Sequence, residues 1–280
     1  MTLAMALFRS HDDKVLWSLT KAIRLLLPAD PGFDRLLDAC QQYRPSARPS
    51  RMNHNWICAD GQHFRLHEPG AIRPEMAARA GLPGDITHVC YVDWDGAEVG
   101  LNTQQRKQLG TRYLRESGYV LGGLAARFGG LWAPHPEELA QPLRAYVYTI
   151  REIDAADLLT IASQYAPALA LGDPRSDKVI TLRGEVPSRV QYWPPYSAAV
   201  PKSALVLGPG APAVLDPSWA DDDTGVIVVE ADQAAGGADP AVARAVGAMG
   251  LGLAAQTGGV CVDIFGFNVR DAADLVIRAG

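Results

Sequence analysis

GLAARFGG occupies residues 123–130, and GLAAQTGG occupies residues 252–259. An alanine-rich run that ends in two glycines predicts the last turn of a helix lying close to a sheet, because small side chains allow a close approach. The first glycine of each pair is expected to take the left-handed conformation that ends a helix, and the apolar residues after it to begin a strand. The octet therefore predicts a helix, a sharp stop and a strand at two places in the chain.

Two further motifs recur in the same order around the octets. An apolar run that ends in acid-x-acid precedes each octet, at residues 89–95 and 226–232. The pentapeptide DAADL follows each octet, at residues 154–158 and 271–275. DAADL is typical of a helix start, where the first aspartate caps the backbone amides. Three motifs in one order predict a diverged internal duplication.

The predicted fold class is α+β, with internally duplicated β-α-β-α units packed as mixed sheets with helices on one face, after an N-terminal helical and hairpin extension. We expect four segments in the chain. These are N-terminal helices and a β-hairpin over 1–86, a first repeat over 87–171, a connector rich in proline and aromatic residues with short strands over 172–222, and a second repeat over 223–280.

The spacing of apolar residues predicts the individual elements. A spacing of three and four predicts a helix over 13–43, interrupted after residue 27 by Pro28-Ala-Asp-Pro-Gly32. A long helix is predicted over 103–128, and a strand near 144–150. Two strands are predicted in the connector, over 178–182 and 204–207.

The composition excludes several classes of protein. The 280 residues are 48% apolar and 20% charged, an ordinary globular balance. The net charge of −5, without a run of Lys or Arg, disfavours nucleic acid as a partner. The four cysteines are scattered, the N-terminus is a poor signal peptide, and the longest apolar run is too short for a membrane span. These features, with the Ala-, Arg-, Gly- and Pro-rich composition, predict a cytoplasmic bacterial protein without a membrane partner.

Residues 53–67 predict a β-hairpin with a two-residue turn at Asp60-Gly61. Alternation along its strands places polar and aromatic side chains on one face, while the other face carries apolar side chains that are expected to pack on the core. The expected cross-strand pairs on the polar face are Cys58 with His63, Trp56 with Arg65, and His54 with His67.

The hairpin also carries the spacing H-x3-C-x4-H-x3-H, which suggests a zinc site. His54 and Cys58, however, are four strand residues apart, about 13 Å along the strand. One tetrahedral zinc ion with bonds of about 2 Å does not reach both of them together with the two remaining histidines. We therefore predict no metal and no other cofactor, with a two-ligand site completed elsewhere as the alternative.

The acid-x-acid pairs admit two interpretations. Asp93 with Asp95, and Glu230 with Asp232, are able to hold Mg²⁺ or to act as acid and base. The same residues also serve simply to end a strand and solvate its loop. The sequence lacks the motifs GxSxG, HExxH, CxxC and the phosphate-binding loop, so we predict no catalytic residue.

The chain resembles uncharacterised bacterial α+β families in its order of a strand, a long helix ending in A-x-x-G-G, a second strand and a capped DAADL helix. Some members of these families are immunity proteins, found beside polymorphic toxins. The resemblance covers the two repeats and implies a fold and a class of partner. Because GLAAxxGG and DAADL mark the ends and starts of helices, the resemblance does not assign a function to any residue.

We predict a protein-binding protein, namely a toxin-neutralising immunity protein or an adaptor, with another protein as its partner. One alternative is a small-molecule enzyme or ligand-binding protein with its site in the cleft between the repeats. Another is a structural subunit of a larger assembly. Residues 191–196 and 216–223 are expected to form an exposed aromatic and acidic surface. The predicted contact residues are His54, Trp56, Arg65, His67, Asp93, Asp95, Tyr192, Trp193 and Tyr196.

Overall fold

The computed structural model describes residues 12, 15, 16, 19, 23–50, 55–59, 64–94, 120–133, 143–172, 179–194, 224–231 and 239–275. The chain divides into unit 1 (Met1–Glu137) and unit 2 (Glu138–Gly280). Each unit combines helices with one sheet, so the fold is of the α+β class, as predicted. Every pairing between the described strands is antiparallel, so the predicted mixed sheets are wrong.

The strands of unit 1 form one sheet, in which the first strand along the chain is an inner strand and not an edge strand. In chain order they are β1 (Arg24–Leu27), α1 (Phe33–Tyr43), β2 (Arg48–Pro49), β3 (Trp56–Ala59), β4 (Phe64–His67), β5 (Gly70–Ala71), α2 (Pro74–Arg79), β6 (His88–Trp94), α3 (described over 120–128) and β7 (Leu131–Ala133). The strand order is β2-β3-β4-β6-β1-β7, and β5 pairs with β6.

β1 replaces the end of the first part of the helix predicted over 13–43, whereas the second part, after the break, is confirmed as α1. All four of its residues are buried and leucines lie on both faces, so the strand shows no alternation. A short apolar run of this kind cannot be distinguished from a helix by periodicity. Pro28 follows the strand and disfavours a helical conformation at Leu27. Residues 15, 16 and 19 are helical, as predicted, and residue 12 is helical as well.

The sheet of unit 1 packs apolar side chains on both of its faces. On one face, Leu26 of β1 belongs to an apolar cluster with Leu19 and with Met76 of α2. On the other face, the thiol of Cys40 in α1 lies near that of Cys90 in β6. α1 and α3 lie side by side, with Arg127 Nε donating a hydrogen bond of 3.2 Å to Gln42 Oε1.

Unit 2 has the elements β8 (Leu143–Thr149), α4 (Ala155–Ser163), β9 (Ala170–Leu171), β10 (Ile180–Arg183), β11 (Arg189–Trp193), β12 (Gly225–Ala231), α5 (Pro240–Thr257), β13 (Val260–Asp263) and a 3₁₀ helix (Ala272–Leu275). The strand order is β13-β8-β12-β11-β10-β9. Side chains of α4 and α5 form one buried cluster with side chains from one face of this sheet. Within the described ranges, no helix is long and apolar enough to cross a lipid bilayer.

Several predicted elements of unit 2 are confirmed, and one strand was missed. The strand near 144–150 is β8, the strand over 178–182 is β10, and the helix predicted to end in the octet at 252–259 is α5. β11 was not predicted, because its aromatic residues stand beside prolines in a segment that resembles a linker. The strand predicted over 204–207 lies outside the described residues.

The two glycine pairs end their helices in the same way. Gly129 and Gly258 both have φ of 65°, the left-handed conformation that the octets predicted. The next glycine in each pair donates a backbone hydrogen bond of 2.8 Å across the helix end, from Gly130 to Ala125 and from Gly259 to Ala254. A strand begins directly afterwards, β7 in unit 1 and β13 in unit 2. Each octet therefore encodes a helix end followed by an edge strand.

The second glycine of each pair is needed for a different reason from the first. A Cβ on Gly130 would overlap the carbonyl oxygen of Leu26 in β1, and a Cβ on Gly259 would overlap that of Tyr148 in β8. In both units the chain thus passes directly against the backbone of the neighbouring strand. These carbonyl oxygens belong to paired strands and cannot shift aside, so only glycine fits at this position.

Gly258→Ala is expected to lower the free energy of unfolding by about 1 kcal/mol, because φ is positive there. No atom lies within 4 Å of the added Cβ, so the conformational strain acts alone. Urea unfolding measures the change, and Gly258→Asn is the control, since asparagine tolerates the left-handed region better than alanine. An alanine variant as stable as the wild type would contradict this account of the glycine.

Both DAADL motifs begin helical turns, as predicted. Asp154 caps α4, accepting a hydrogen bond of 2.8 Å from the amide of Asp157. Asp271 accepts one of 2.8 Å from the amide of Ala273, at the start of the 3₁₀ helix. The internal duplication predicted over 87–171 and 223–280 is not confirmed, because the first of these ranges contains β6 and β7 of unit 1 together with β8 and α4 of unit 2.

Candidate functional site

The hairpin of β3 and β4 carries three of the predicted contact residues. Trp56 pairs with His67, and Cys58 with Arg65, which differs by two residues from the predicted register. The innermost pair, Ala59 with Phe64, brackets residues 60–63, so the two-residue turn at Asp60-Gly61 does not fit the register. Because side chains alternate with a period of two, this shift leaves the two predicted faces unchanged.

Trp56, His67 and Arg65 form a stacked group on this hairpin. The rings of Trp56 and His67 are 4.6 Å apart between centroids, with 18° between their planes. The Arg65 guanidinium carbon lies 5.6 Å from the Trp56 ring, within the range of a cation–π contact. All three side chains are half-buried. The expected contact between Trp56 and Arg65 is therefore present, but across a diagonal.

β6 and β1 extend the same face of the sheet. Asp93 of β6 lies in register with Arg65, and Tyr91 of β6 lies in register with Arg24 of β1. Burial raises the pKa of Tyr91, and the nearby Arg24 guanidinium opposes that rise. We call Arg24, Trp56, Arg65, His67 and Tyr91 the basic–aromatic face. Directly paired residues share a face in an antiparallel sheet, so these five side chains project from one side.

Sequence reasoning missed Arg24 and Tyr91. Arg24 stands in the segment predicted to be helical, and Tyr91 stands in a run taken to be wholly apolar. The available signal was the run Arg24–Leu27 itself, since four residues before a proline fit a buried central strand. Of the remaining predicted residues of this region, His54 and Asp95 lie outside the described part of the chain.

The aromatic residues predicted in the connector are not on the surface. Tyr192 and Trp193 lie in β11, where their exposed fractions are 2% and 9%. Tyr192 packs in the cluster under α4 and α5, while Trp193 packs on the opposite face with Tyr146 and Tyr148. The expected exposed surface over 191–196 is wrong for these two residues, because β11 is an inner strand of the sheet. Tyr196 and residues 216–223 lie outside the described residues.

Glu230 belongs to a group of three charges on the sheet of unit 2. Its carboxylate is paired with Arg144 of β8 and Arg189 of β11, one oxygen to each guanidinium. Burial by itself would lower the pKa of Arg144, but the hydrogen bonds that it donates to Glu230 and Tyr146 raise that pKa above its ordinary value. Glu230 is therefore a buried member of an ion-pair network within β12, whereas the second interpretation had it end the strand and solvate a loop. Asp232 lies outside the described residues.

The groups needed for metal binding or nucleophilic chemistry are not gathered in the described residues. No three His, Cys, Asp or Glu side chains of the described ranges are placed to hold one metal ion. All four cysteines are free and buried. Burial raises the pKa of the Cys90 thiol to about 12, and it raises the pKa of Cys40 and Cys261 as well. These three thiols are therefore protonated at neutral pH and unsuited to nucleophilic attack.

Within the described ranges, the basic–aromatic face remains as a group of polar and aromatic side chains concentrated on one sheet, partly exposed except for the buried Arg24. Exposed Trp and Arg side chains are the residue types that most often anchor interfaces. Comparison with known proteins adds no assignment, since no protein-family model, no curated protein and no solved structure matches the chain.

Proposed function

We propose that the chain is a protein-binding protein, built from two copies of one fold, in which the basic–aromatic face of unit 1 contacts the partner. The observation that carries this proposal is the half-buried stack of Trp56, His67 and Arg65.

The order of elements supports the internal copy. From β1 onward and without the insertion of β5 and α2, the described elements of unit 1 read strand, helix, four strands, helix, strand, which is also the order of the described elements of unit 2 from β8 to β13. The sheets also correspond, because β7-β1-β6-β4-β3-β2 matches β13-β8-β12-β11-β10-β9 strand for strand. We infer that the duplicated segment is a whole unit, with its boundary between residues 137 and 138.

Individual hydrogen bonds support the same correspondence. Each of three bonds in unit 1 has a counterpart in unit 2, between the same elements and in the same direction. The pairs are Gly130 to Ala125 with Gly259 to Ala254, Ser50 to Trp56 with Gly172 to Thr181, and Arg127 to Gln42 with Gln256 to Gln164. The first two pairs join backbone atoms and the third joins side chains, so the agreement extends from the sheet to the contact between helices.

Strand register then gives the equivalent of each site residue. Arg65 corresponds to Arg189 and Asp93 to Glu230, because both pairs lie in register between equivalent strands. By the same reasoning, Trp56 corresponds to Thr181 and His67 to Gln191.

At the equivalent positions of unit 2, the polar side chains form hydrogen bonds and an ion pair with one another. The Gln191 amide donates a buried hydrogen bond of 3.2 Å to the Thr181 hydroxyl, and Arg189 is paired with Glu230. Unit 1 has two aromatic rings where unit 2 has this hydrogen-bonded pair, and those rings are half-buried. At these two positions one copy thus has a hydrogen-bonded polar pair, while the other has two stacked aromatic rings. This difference favours unit 1 as the binding unit.

The class of partner follows from these side chains and from the resemblance to immunity-protein families. A stacked Trp with an adjacent Arg offers a rigid contact area of the kind that anchors protein interfaces. The four free, buried cysteines fit a reducing compartment, so we place the protein in the cytoplasm. A toxin-neutralising immunity protein or an adaptor is the function that we propose.

Replacing both Trp56 and Arg65 by alanine is expected to weaken partner binding by at least about tenfold, because these are the proposed anchors. The partner is isolated from source cells by affinity capture with the wild-type chain, identified and purified. Calorimetric titration then gives the dissociation constant for each variant. The melting temperature is expected to change little, since both side chains are half-buried.

Tyr165→Ala with Arg244→Ala is the matched control, because it removes one aromatic and one arginine side chain from exposed positions of unit 2. This control is expected to bind as the wild type does. Equal binding by the Trp56/Arg65 double variant would exclude the basic–aromatic face as the interface.

A further inference from the structure

The sign of the charge on the basic–aromatic face differs from that of the whole chain. The chain carries a net charge of −5. Among the described residues that register places on this side of the sheet, Arg24, Arg48 and Arg65 are basic, and Asp93 is the one acid. The face is therefore a local basic area on an acidic protein.

These basic groups are positioned for different roles. Arg65 is half-buried against Trp56, and Arg48 is exposed in the edge strand β2. Arg24 is buried, so it contributes positive potential to the face without direct contact. A planar guanidinium held against an aromatic ring is suited to paired hydrogen bonds with a carboxylate.

The edge of the sheet limits how a partner is able to bind. β2 consists of Arg48 and Pro49, and proline has no backbone N–H to donate. A partner strand is therefore disfavoured from extending the sheet at this edge. We therefore expect the side chains of the face, and not the backbone of this edge strand, to contact the partner. Charge complementarity then selects an anionic partner.

From this charge and geometry we infer that the partner contacts the basic–aromatic face, together with Arg48 of β2 on the same side of the sheet, with an acidic polypeptide segment whose carboxylates pair with Arg65 and Arg48. The inference rests on the proposed function, and it specifies the chemistry of the partner. A nucleic acid is the less favoured anion, because its binding requires an extended cationic surface and the net charge of this chain repels a polyanion at long range.

The test measures fluorescence anisotropy of a short labelled oligoglutamate peptide, with oligoglutamine of the same length as the neutral probe. The wild-type chain is expected to bind oligoglutamate, more weakly as salt is added, and not to bind oligoglutamine. Arg65→Gln should weaken the binding at least about fivefold, and Arg65→Lys less, since lysine retains the charge. Arg79→Gln is the matched control, because it removes an exposed arginine of α2 and is expected to bind like the wild type.

Three results would overturn the inference. They are the absence of oligoglutamate binding, binding unaffected by Arg65→Gln, and tighter binding of an oligothymidylate that carries the same number of charges. If the isolated partner still depends on Trp56 and Arg65 in any of these cases, the proposed function stands and only the acidic character of the partner is wrong. If that dependence is also absent, both proposals fail. Melting temperatures of the Arg65 variants show that each is folded.

Discussion

Gly130→Ala and Gly259→Ala are each expected to lower the free energy of unfolding by about 3 kcal/mol or more, because a methyl group is forced against backbone atoms. The obstructing atoms are carbonyl oxygens of Leu26 and Tyr148, which belong to strands inside the two sheets. Neither strand can retreat without breaking its pairing with a neighbour. Urea unfolding of each variant, followed by circular dichroism, measures the loss.

Gly252→Ala is the control for this prediction. A Cβ on Gly252 would overlap the ring of Tyr165, but that side chain is 42% exposed and is able to rotate away. The Gly252 variant is therefore expected to lose much less stability than the other two. A Gly259→Ala variant as stable as Gly252→Ala would show that α5 and β13 are not held against β8 at this point.

Glu230→Ala is expected to cost about 3–5 kcal/mol of stability, because it leaves two guanidinium groups on one sheet without their shared carboxylate. The Glu230 side chain is 8% exposed, and Arg144 and Arg189 are 22% and 20% exposed. An unpaired charge in such a setting loses its interaction without regaining full hydration. Chemical denaturation of the variant measures the change in free energy.

Two comparisons separate this effect from ordinary surface electrostatics. Asp157→Ala breaks the pair with Arg151, in which both side chains are about half exposed, and should cost no more than about 1 kcal/mol. Replacing Arg144, Glu230 and Arg189 together by apolar residues should cost less than Glu230→Ala alone, since no charge is then left unpaired. A triple variant less stable than the single one would contradict this explanation.

Much of the fold could be predicted because helix ends carry strong local signals. Asp154 and Asp239 cap α4 and α5, and Gly258 ends α5 at the residue that the sequence indicated. Strands with clear apolar runs, such as β6 and β12, were also predicted. In each case a few neighbouring residues determine the element, so the pattern is visible in the sequence.

The pairing of strands could not be predicted, because it joins segments that are distant in the chain. β1 pairs with both β6 and β7, and nothing in Arg24–Leu27 identifies those partners. The predicted bounds of the repeat are not confirmed for the same reason. GLAAxxGG precedes the last strand described in each unit, whereas the two copies of DAADL stand at different places, one beginning α4 and the other following β13.

The candidate site was predicted in part. Trp56, Arg65 and His67 share a hairpin, so alternation within a short segment was enough to place them on one face. Arg24 and Tyr91 join that face only through the order of strands in the sheet. The contrast with Thr181 and Gln191 required the register of both units, because the sequence around these residues is not similar to that around Trp56 and His67.

The position of the first strand in each sheet also bears on how the protein is synthesised. β1 is made first, yet it pairs with β6 and β7, the last strands of unit 1, and β8 likewise pairs with β12 and β13. Neither sheet is completed until almost all of its unit has left the ribosome, and such long-range pairing slows folding. We expect unit 1 to close while unit 2 is still being translated. During that interval β8 has already been synthesised without its neighbours, which makes it the segment most in need of protection from wrong pairing.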